Sequence, residues 1–329
     1  MAAPRLDLAA KWAKTAAGST VRGPAPDSTR SRGRCPRTPG DIWAKLKAIS
    51  RERPVLIAGP TASGKSALAL ELAARDGRVV VNADALQVYG CWRVLTARPS
   101  VAEEAGAAHA LYGHVGRVPY SVGDWLREVR GLLDRPVVIV GGTGLYFMAL
   151  TEGLAEVPEI PPEVRAEADA LRLGDFAAMV AGLDAQTAAK TDLRNPMRVQ
   201  RAWEVLRASG RGLAAWQEAT PAPLVPLEAA EALVFRPSVP WLDARIARRF
   251  SVMLEEGALE EARAALPHWQ PQAPWARAIG APELVAHLRG ELSLAEAEAA
   301  AILASRQYAK RQRTWFRSRM GAWRGIVPG

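Results

Sequence analysis

The stretch VLIAGPTASGKSALALEL, residues 55–72, constrains this chain more than any other. Gly59, Pro60, Thr61, Ala62, Ser63, Gly64, Lys65 and Ser66 match the G-x-x-x-x-G-K-[ST] pattern of a phosphate-binding loop. The apolar run Val55 to Ala58 precedes it and an Ala-, Leu- and Glu-rich run follows, so the loop joins a strand to a helix. In that setting backbone N–H groups and the helix N-terminus face an anion, Lys65 adds a mobile positive charge, and the Ser66 hydroxyl can hold Mg²⁺. A bound polyphosphate is expected. The loop alone leaves open whether it belongs to ATP, GTP or the diphosphate of another compound.

Val79–Val81 and Val137–Val140 read as further short strands, and EALVFRP at 231–237 as a late one. β-Branched runs separated by helical stretches imply a parallel sheet with helices on both faces. The fold class expected is α/β: a P-loop NTPase-like core with a parallel β-sheet flanked by helices, plus a helical insertion domain. Residues 53–154 form the first part of the core, 155–228 the insertion, and 229–329 complete the core with a basic C-terminal helix. Ligands of such sheets sit beyond the carboxyl ends of the strands. The loop, Asp84 and Thr143 all follow strands and should meet in one crevice. A P-loop ATPase normally ends an apolar strand in an acid that helps to hold Mg²⁺. Here VVIV runs into Gly141, Gly142, Thr143 and Gly144. That argues against a motor that hydrolyses ATP, and leaves a small-molecule kinase or an enzyme that handles a diphosphate without hydrolysing it.

The net charge of +9 is uneven, because residues 1–54 hold twelve Lys or Arg against four Asp or Glu. The basic balance is thus mostly a property of the leading segment and does not by itself indicate a nucleic-acid partner. Residues 1–52, rich in Pro, Gly, Ser and Arg, are expected to be a disordered basic extension. An import signal, a basic tail with loose affinity for RNA, and a start codon placed too far upstream are all open for it, the last two being favoured. No Met lies between Met1 and Met148, so a later start would use a different codon. The two cysteines, Cys35 and Cys91, can build neither a disulfide framework nor a zinc site without several histidines. No apolar run approaches 18 residues, so no membrane contact is expected and a reducing cytoplasm is the expected compartment.

Two helical stretches follow. LDARIARRFSVMLEEGALEEARAAL, 242–266, sets Leu242, Ile246, Phe250, Met253 and Leu254 on one face. Between Ser305 and Gly325, Arg306, Lys310, Arg313 and Arg317 fall along one side of a helix, with Tyr308 and Trp315 interleaved elsewhere. Such a stripe suits a solvated face or a nucleic-acid backbone.

GPTASGKS, NADALQVY (82–89), GGTGLYF (141–147), RAWEV (201–205), LDARIARRFSVMLEEG and RQYAKRQRTWF (306–316) occur in the order seen in bacterial tRNA dimethylallyltransferases. The chain resembles that family over about residues 53–317. The resemblance implies transfer of a dimethylallyl group from dimethylallyl diphosphate to N6 of adenosine 37, beside the anticodon, by a cytoplasmic monomer that uses Mg²⁺ on Ser66. The loop would then hold a prenyl diphosphate, in keeping with the missing acidic strand end.

An exocyclic adenine amine is a weak nucleophile, so an acceptor must take its proton as the C–N bond forms. Asp84 looks like the family's general base; its alternative is to cap the helix that follows. Arg201 matches the arginine the family sets near the diphosphate, and Thr143 its GGT threonine; with Asp84 these make the implied catalytic set. Arg165 lies 22 residues beyond Thr143, as a tRNA-contacting arginine does in relatives. Asp84, Ala85, Leu86 and Gln87, with Met197, Arg198, Val199, Gln200 and Arg201, resemble the stretches that grip the target base and its neighbours in the tRNA anticodon stem-loop. His109 and His114 are expected to serve surface or packing roles. The chain departs from the family pattern at Ala85, where Ser is usual, in VLTARPS and AIGAPEL, and at Ser305, which replaces a threonine.

Overall fold

Six strands among the described residues run parallel, and their order decides which loops become neighbours. Residues 49–328 are described by the structure, a computed structural model. Most of the basic extension, with Cys35, lies outside the described residues. The strands are β1 (Val55–Ala58), β2 (Val79–Asn82), β3 (His109–Ala110), β4 (Val137–Gly141), β5 (Glu231–Phe235) and β6 (Arg324–Ile326), in the order β3-β2-β4-β1-β5-β6. β4 therefore lies between β1 and β2, with Ala58 beside Gly141 and Asn82 beside Val140. The chain after each of these three strands emerges at one edge. The strands β3 and β6, of two and three residues, are too short to stand out as periodic runs in the sequence.

Helix α1 (Lys65–Asp76) follows β1, α2 (Val101–Gly106) and α3 (Val122–Arg130) precede β4, and α4 (Gly144–Glu152) follows it. Because side chains alternate along a strand, Val55, Ile57, Val138 and Val140 pack on Leu68, Ala69 and Leu72 of α1. Leu56, Val81, Val137 and Ile139 face the other way, onto Trp125 of α3 and Phe147 and Leu150 of α4. Both faces are covered, which is why the strands read as unbroken apolar runs. Ahead of β1, buried Arg78 donates to the carbonyls of Ser50 and Arg53 at 2.6 and 2.8 Å and ties that segment to the sheet.

Between α4 and β5 come α5 (Pro162–Gly174), α6 (Phe176–Ala181), α7 (Ala185–Lys190), α8 (Pro196–Ser209) and α9 (Leu213–Glu218). Ala168, Met179 and Val199 form a small core of their own there, with Leu171, Phe176 and Trp203. The side chains of Asp175, Asp184 and Asn195 cap α6, α7 and α8, each worth about 1 kcal/mol.

After β5 the expected helix over 242–266 is two: α10 (Val239–Glu255) and α11 (Ala258–Ala265), with Gly257 at φ +102° turning the chain between them. Only a glycine adopts that angle without strain. α12 (Ala281–Leu288) and the long α13 (Leu294–Arg319) complete the chain before β6. No helix among the described residues is long and apolar enough to cross a membrane.

Candidate active site

The loop Gly59–Gly64 leaves β1 and enters α1 with Ala62 at φ +61° and Gly64 at φ +90°. α2, α3 and α13 begin with a serine that closes a capping box, but α1 has no side-chain cap. The first N–H groups of α1 therefore stay available to an anion. Lys65 Nζ leans back onto the Pro60 carbonyl at 3.4 Å, and the Ser66 hydroxyl is exposed on the first turn. Burial lowers the Lys65 ammonium from 10.5 to about 8; Asp84 opposes that shift and Arg249 adds to it.

At the end of β2, Asn82 Oδ1 accepts the Asp84 N–H at 2.8 Å, and Asp84 Oδ1 accepts the Leu86 N–H at 3.1 Å. Asp84 thus caps its own turn with one oxygen, while Oδ2 accepts no hydrogen bond from the described residues. Thr143, after β4, accepts the Ala85 N–H on Oγ1 at 2.9 Å and so fixes the same turn from the neighbouring strand end. The glycines of GGTG make this approach possible. A Cβ on Gly141 would collide with the Ala83 backbone, one on Gly142 with the Gln312 amide, and one on Gly144 with the Trp315 ring.

α10 and α13 close the site. Arg245 Nε donates to the Ala62 carbonyl at 2.9 Å, and Arg249 reaches Thr61 Oγ1 at 3.4 Å. Burial also lowers the Arg249 guanidinium, with Asp84 opposing. Three cations thus crowd the loop against one carboxylate, an imbalance that favours a polyanion. Tyr308 lines the same cavity, and its phenol is pushed up, first by burial and then by Asp84. Beside Thr61, Asp84, Arg249 and Tyr308 the cavity becomes apolar, walled by Leu86, Leu95, Ile246, Phe250, Met253 and Ile279. An anion seat, a carboxylate and an oily wall share one space.

The family model described as IPP transferase matches residues 87–319, and that described as isopentenyl transferase matches 53–112. A tRNA dimethylallyltransferase of Cereibacter sphaeroides is 67% identical over 88% of this chain and 93% of its own. One of Paracoccus denitrificans is 59% identical over 86% and 97%. The chain belongs to the tRNA dimethylallyltransferase family.

Membership makes it a prenyltransferase of tRNA and does not favour the kinase alternative. The tRNA isopentenylpyrophosphate transferase of Bacillus halodurans is similar in structure, with TM-score 0.60 and 29% identity over 84% of this chain and 90% of that one. A eukaryotic dimethylallyltransferase acting on tRNA shares the fold at TM-score 0.70 and 23% identity, over 84% and 74%.

Of the other sequence-derived residues, only Leu86 lines the cavity. Arg165 and Arg201 sit exposed on α5 and α8; partial burial lowers the Arg201 guanidinium, with Glu204 opposing and Arg165 adding to the shift, and Arg201 pairs with Glu204 at 3.8 Å. No hydrogen bond or ion pair among the described residues joins either to Lys65, Asp84 or Thr143. On the same turn of α8, Met197 and Arg198 face outward, whereas Val199 is buried in the small core. Gln200 is held inside by Arg172, Asp169 and Glu204 at 2.6, 3.0 and 3.0 Å. Ala85 and Leu86 border the site, and the Gln87 amide is spent on the carbonyls of Thr96 and Ala97. His109 bonds the Ala107 carbonyl and His114 pairs with Glu128, as packing and surface roles require.

Arg249, Tyr308 and Gln312 were missing from the sequence-derived set. A signal existed: Gln312 and Tyr308 adjoin the buried stripe that includes Ala309 and Phe316, and a polar side chain there must find a buried partner.

Proposed function

We propose that the chain transfers a dimethylallyl group from dimethylallyl diphosphate to N6 of adenosine 37 of tRNA, acting as a cytoplasmic monomer. The observation that carries this reading is the meeting of the phosphate loop, Asp84 and an apolar wall in one cavity. The diphosphate sits against the loop N–H groups and Lys65, and the dimethylallyl tail lies along the apolar wall. The target adenine leaves its stack to enter from the tRNA side.

As N6 attacks the allylic carbon, the C–N bond forms, the C–O bond to diphosphate breaks, and the N6 proton passes to Asp84 Oδ2. Charge that develops on the departing diphosphate is balanced by Lys65, the loop N–H groups and Arg249. Thr143 keeps Asp84 aimed by holding the Ala85 N–H. Arg165, Arg198 and Arg201 supply positive charge to the tRNA backbone from the segment 155–228, and Val199 and Gln200 support that surface from inside.

Among the described residues no cluster of three or more acidic, His or Cys side chains could hold a metal alone. The exposed Ser66 hydroxyl is a hard oxygen donor that fits Mg²⁺ held mainly by diphosphate and water. Bound there, the ion would share the charge of the diphosphate.

The test is nucleoside mass analysis of unmodified tRNA incubated with the protein, Mg²⁺ and dimethylallyl diphosphate, beside an ATP-only reaction. An adenosine heavier by one dimethylallyl group supports the reading. ATP consumed without prenylation would replace it with a kinase.

A further inference from the structure

Three consecutive backbone N–H groups converge on one carboxylate. Glu261 Oε1 accepts those of Arg93 and Val94 at 2.7 and 2.8 Å, and Oε2 accepts that of Leu95 at 3.0 Å. Glu261 lies on α11, which is positioned by the turn at Gly257. From the other side Gln87 Nε2 donates to the carbonyls of Thr96 at 2.7 Å and Ala97 at 3.1 Å. Residues 93–97 belong to no helix or strand, yet they are clamped through both their N–H and their C=O groups.

The clamp matters because of what the loop carries. Leu95 is 5% exposed and lines the apolar end of the cavity. Its Cδ2 and the Phe250 ring both lie against Gly280, and the two side chains share one apolar cluster and line the same cavity. A loop without such bonds would sample many backbone states, and Leu95 would no longer occupy one position.

We infer that Glu261 is a positioning residue that holds Leu95 as a stop, and so restricts the donor to a five-carbon prenyl chain. The inference rests on the reading of the cavity as the seat of dimethylallyl diphosphate. Charge-assisted hydrogen bonds to backbone N–H groups are strong and directional, which suits a carboxylate to this task. One methylene in an apolar pocket changes discrimination about 10- to 200-fold, so a small displacement of the stop has a measurable effect.

Wild type, Glu261→Gln and Leu95→Ala are assayed for tRNA prenylation with dimethylallyl diphosphate and with geranyl diphosphate. The quantity read is the ratio of the two kcat/KM values. Gln keeps the size of Glu but turns an NH₂ group against backbone donors, and Ala removes the stop directly. Both variants are expected to raise the ratio for the longer donor by about tenfold or more. Hydrogen exchange of the amides of Arg93, Val94 and Leu95 is expected to speed up in Glu261→Gln, independently of turnover. If Glu261→Gln does not fold, Glu261→Asp, whose shorter arm cannot reach all three N–H groups, is read in the same way.

A Glu261 variant that loses both donors in proportion shows a merely structural role and overturns the inference. So does an unchanged ratio in an active variant. Failure of wild type with dimethylallyl diphosphate is a different result: it removes the reading on which the inference rests.

Discussion

Gln312 on the last helix accepts the backbone N–H of Thr61 in the phosphate loop at 2.9 Å, across 251 positions of chain. Its Nε2 donates to the Gly142 carbonyl at 3.0 Å. One buried amide thus joins the anion seat to the GGTG turn that steadies Asp84. Gln312→Leu leaves a buried C=O unpaired, at about 1–3 kcal/mol, and a part-buried N–H that loses its partner at a smaller cost. We expect a lower urea midpoint and a higher KM for the donor. An unaltered KM in a folded variant would show that the bridge stabilises the fold without shaping the seat.

Asp84→Asn keeps the shape of the turn, since an amide oxygen can still accept the Leu86 N–H, but removes the proposed proton acceptor. Turnover should fall about 10²- to 10⁴-fold, with tRNA affinity close to wild type. Single-turnover prenylation beside a filter-binding titration separates the two. Full turnover in this variant would remove Asp84 from its role as base.

Lys65 makes a prediction in pH. Its ammonium, lowered to about 8 by burial, loses its proton in the free protein as pH rises through that value. Donor KM should therefore rise between pH 7 and 9.5. The unfolded chain holds this proton up to 10.5, so between about 8 and 10.5 the unfolded state binds more protons and the Lys65 contribution to stability increases with pH. Below about 8 the buried charge costs stability in full. Lys65→Met should melt higher than wild type at pH 7, with a smaller difference at pH 10, while using the donor poorly. A lower melting temperature at pH 7 would contradict the cost assigned to this ammonium.

Arg165→Ala and Arg201→Ala should raise the KM for tRNA and leave the KM for the donor unchanged. Removing one arginine–phosphate pair should make the dependence of log affinity on log salt shallower by about 0.9 for a duplex stem or 0.7 for a single strand. Titrations at several salt concentrations read this directly. A slope equal to that of wild type in both variants would assign the two arginines to helix packing, as the pair of Arg201 with Glu204 permits.

Much of the site was legible because its signals are local. A glycine loop between strand and helix, an Asn-Ala-Asp turn and a GGTG turn each set their geometry within a few residues, through positive φ, absent Cβ atoms and short-range hydrogen bonds. Strand order then brought them together, as parallel sheets of this kind do. Side chains delivered from distant helices were not legible. Which way Arg249, Tyr308 and Gln312 point depends on how α10 and α13 rotate against the core, and periodicity marks a buried face without naming what it meets. The stretch 197–201 shows the same limit: its five residues look alike as contact candidates, but the helix turns Val199 and Gln200 inward and Met197, Arg198 and Arg201 outward.

The sequence by itself determined the parallel α/β core, the phosphate loop and the carboxylate opposite it, because each follows from chemistry confined to a short run of chain. Tertiary structure decided the rest. It split the helix over 242–266 at Gly257, aimed Glu261 at the loop of Leu95, and set Gln312 between Thr61 and Gly142. These contacts join segments far apart in the chain, and only packing of the whole core determines which buried polar groups come within hydrogen-bonding distance.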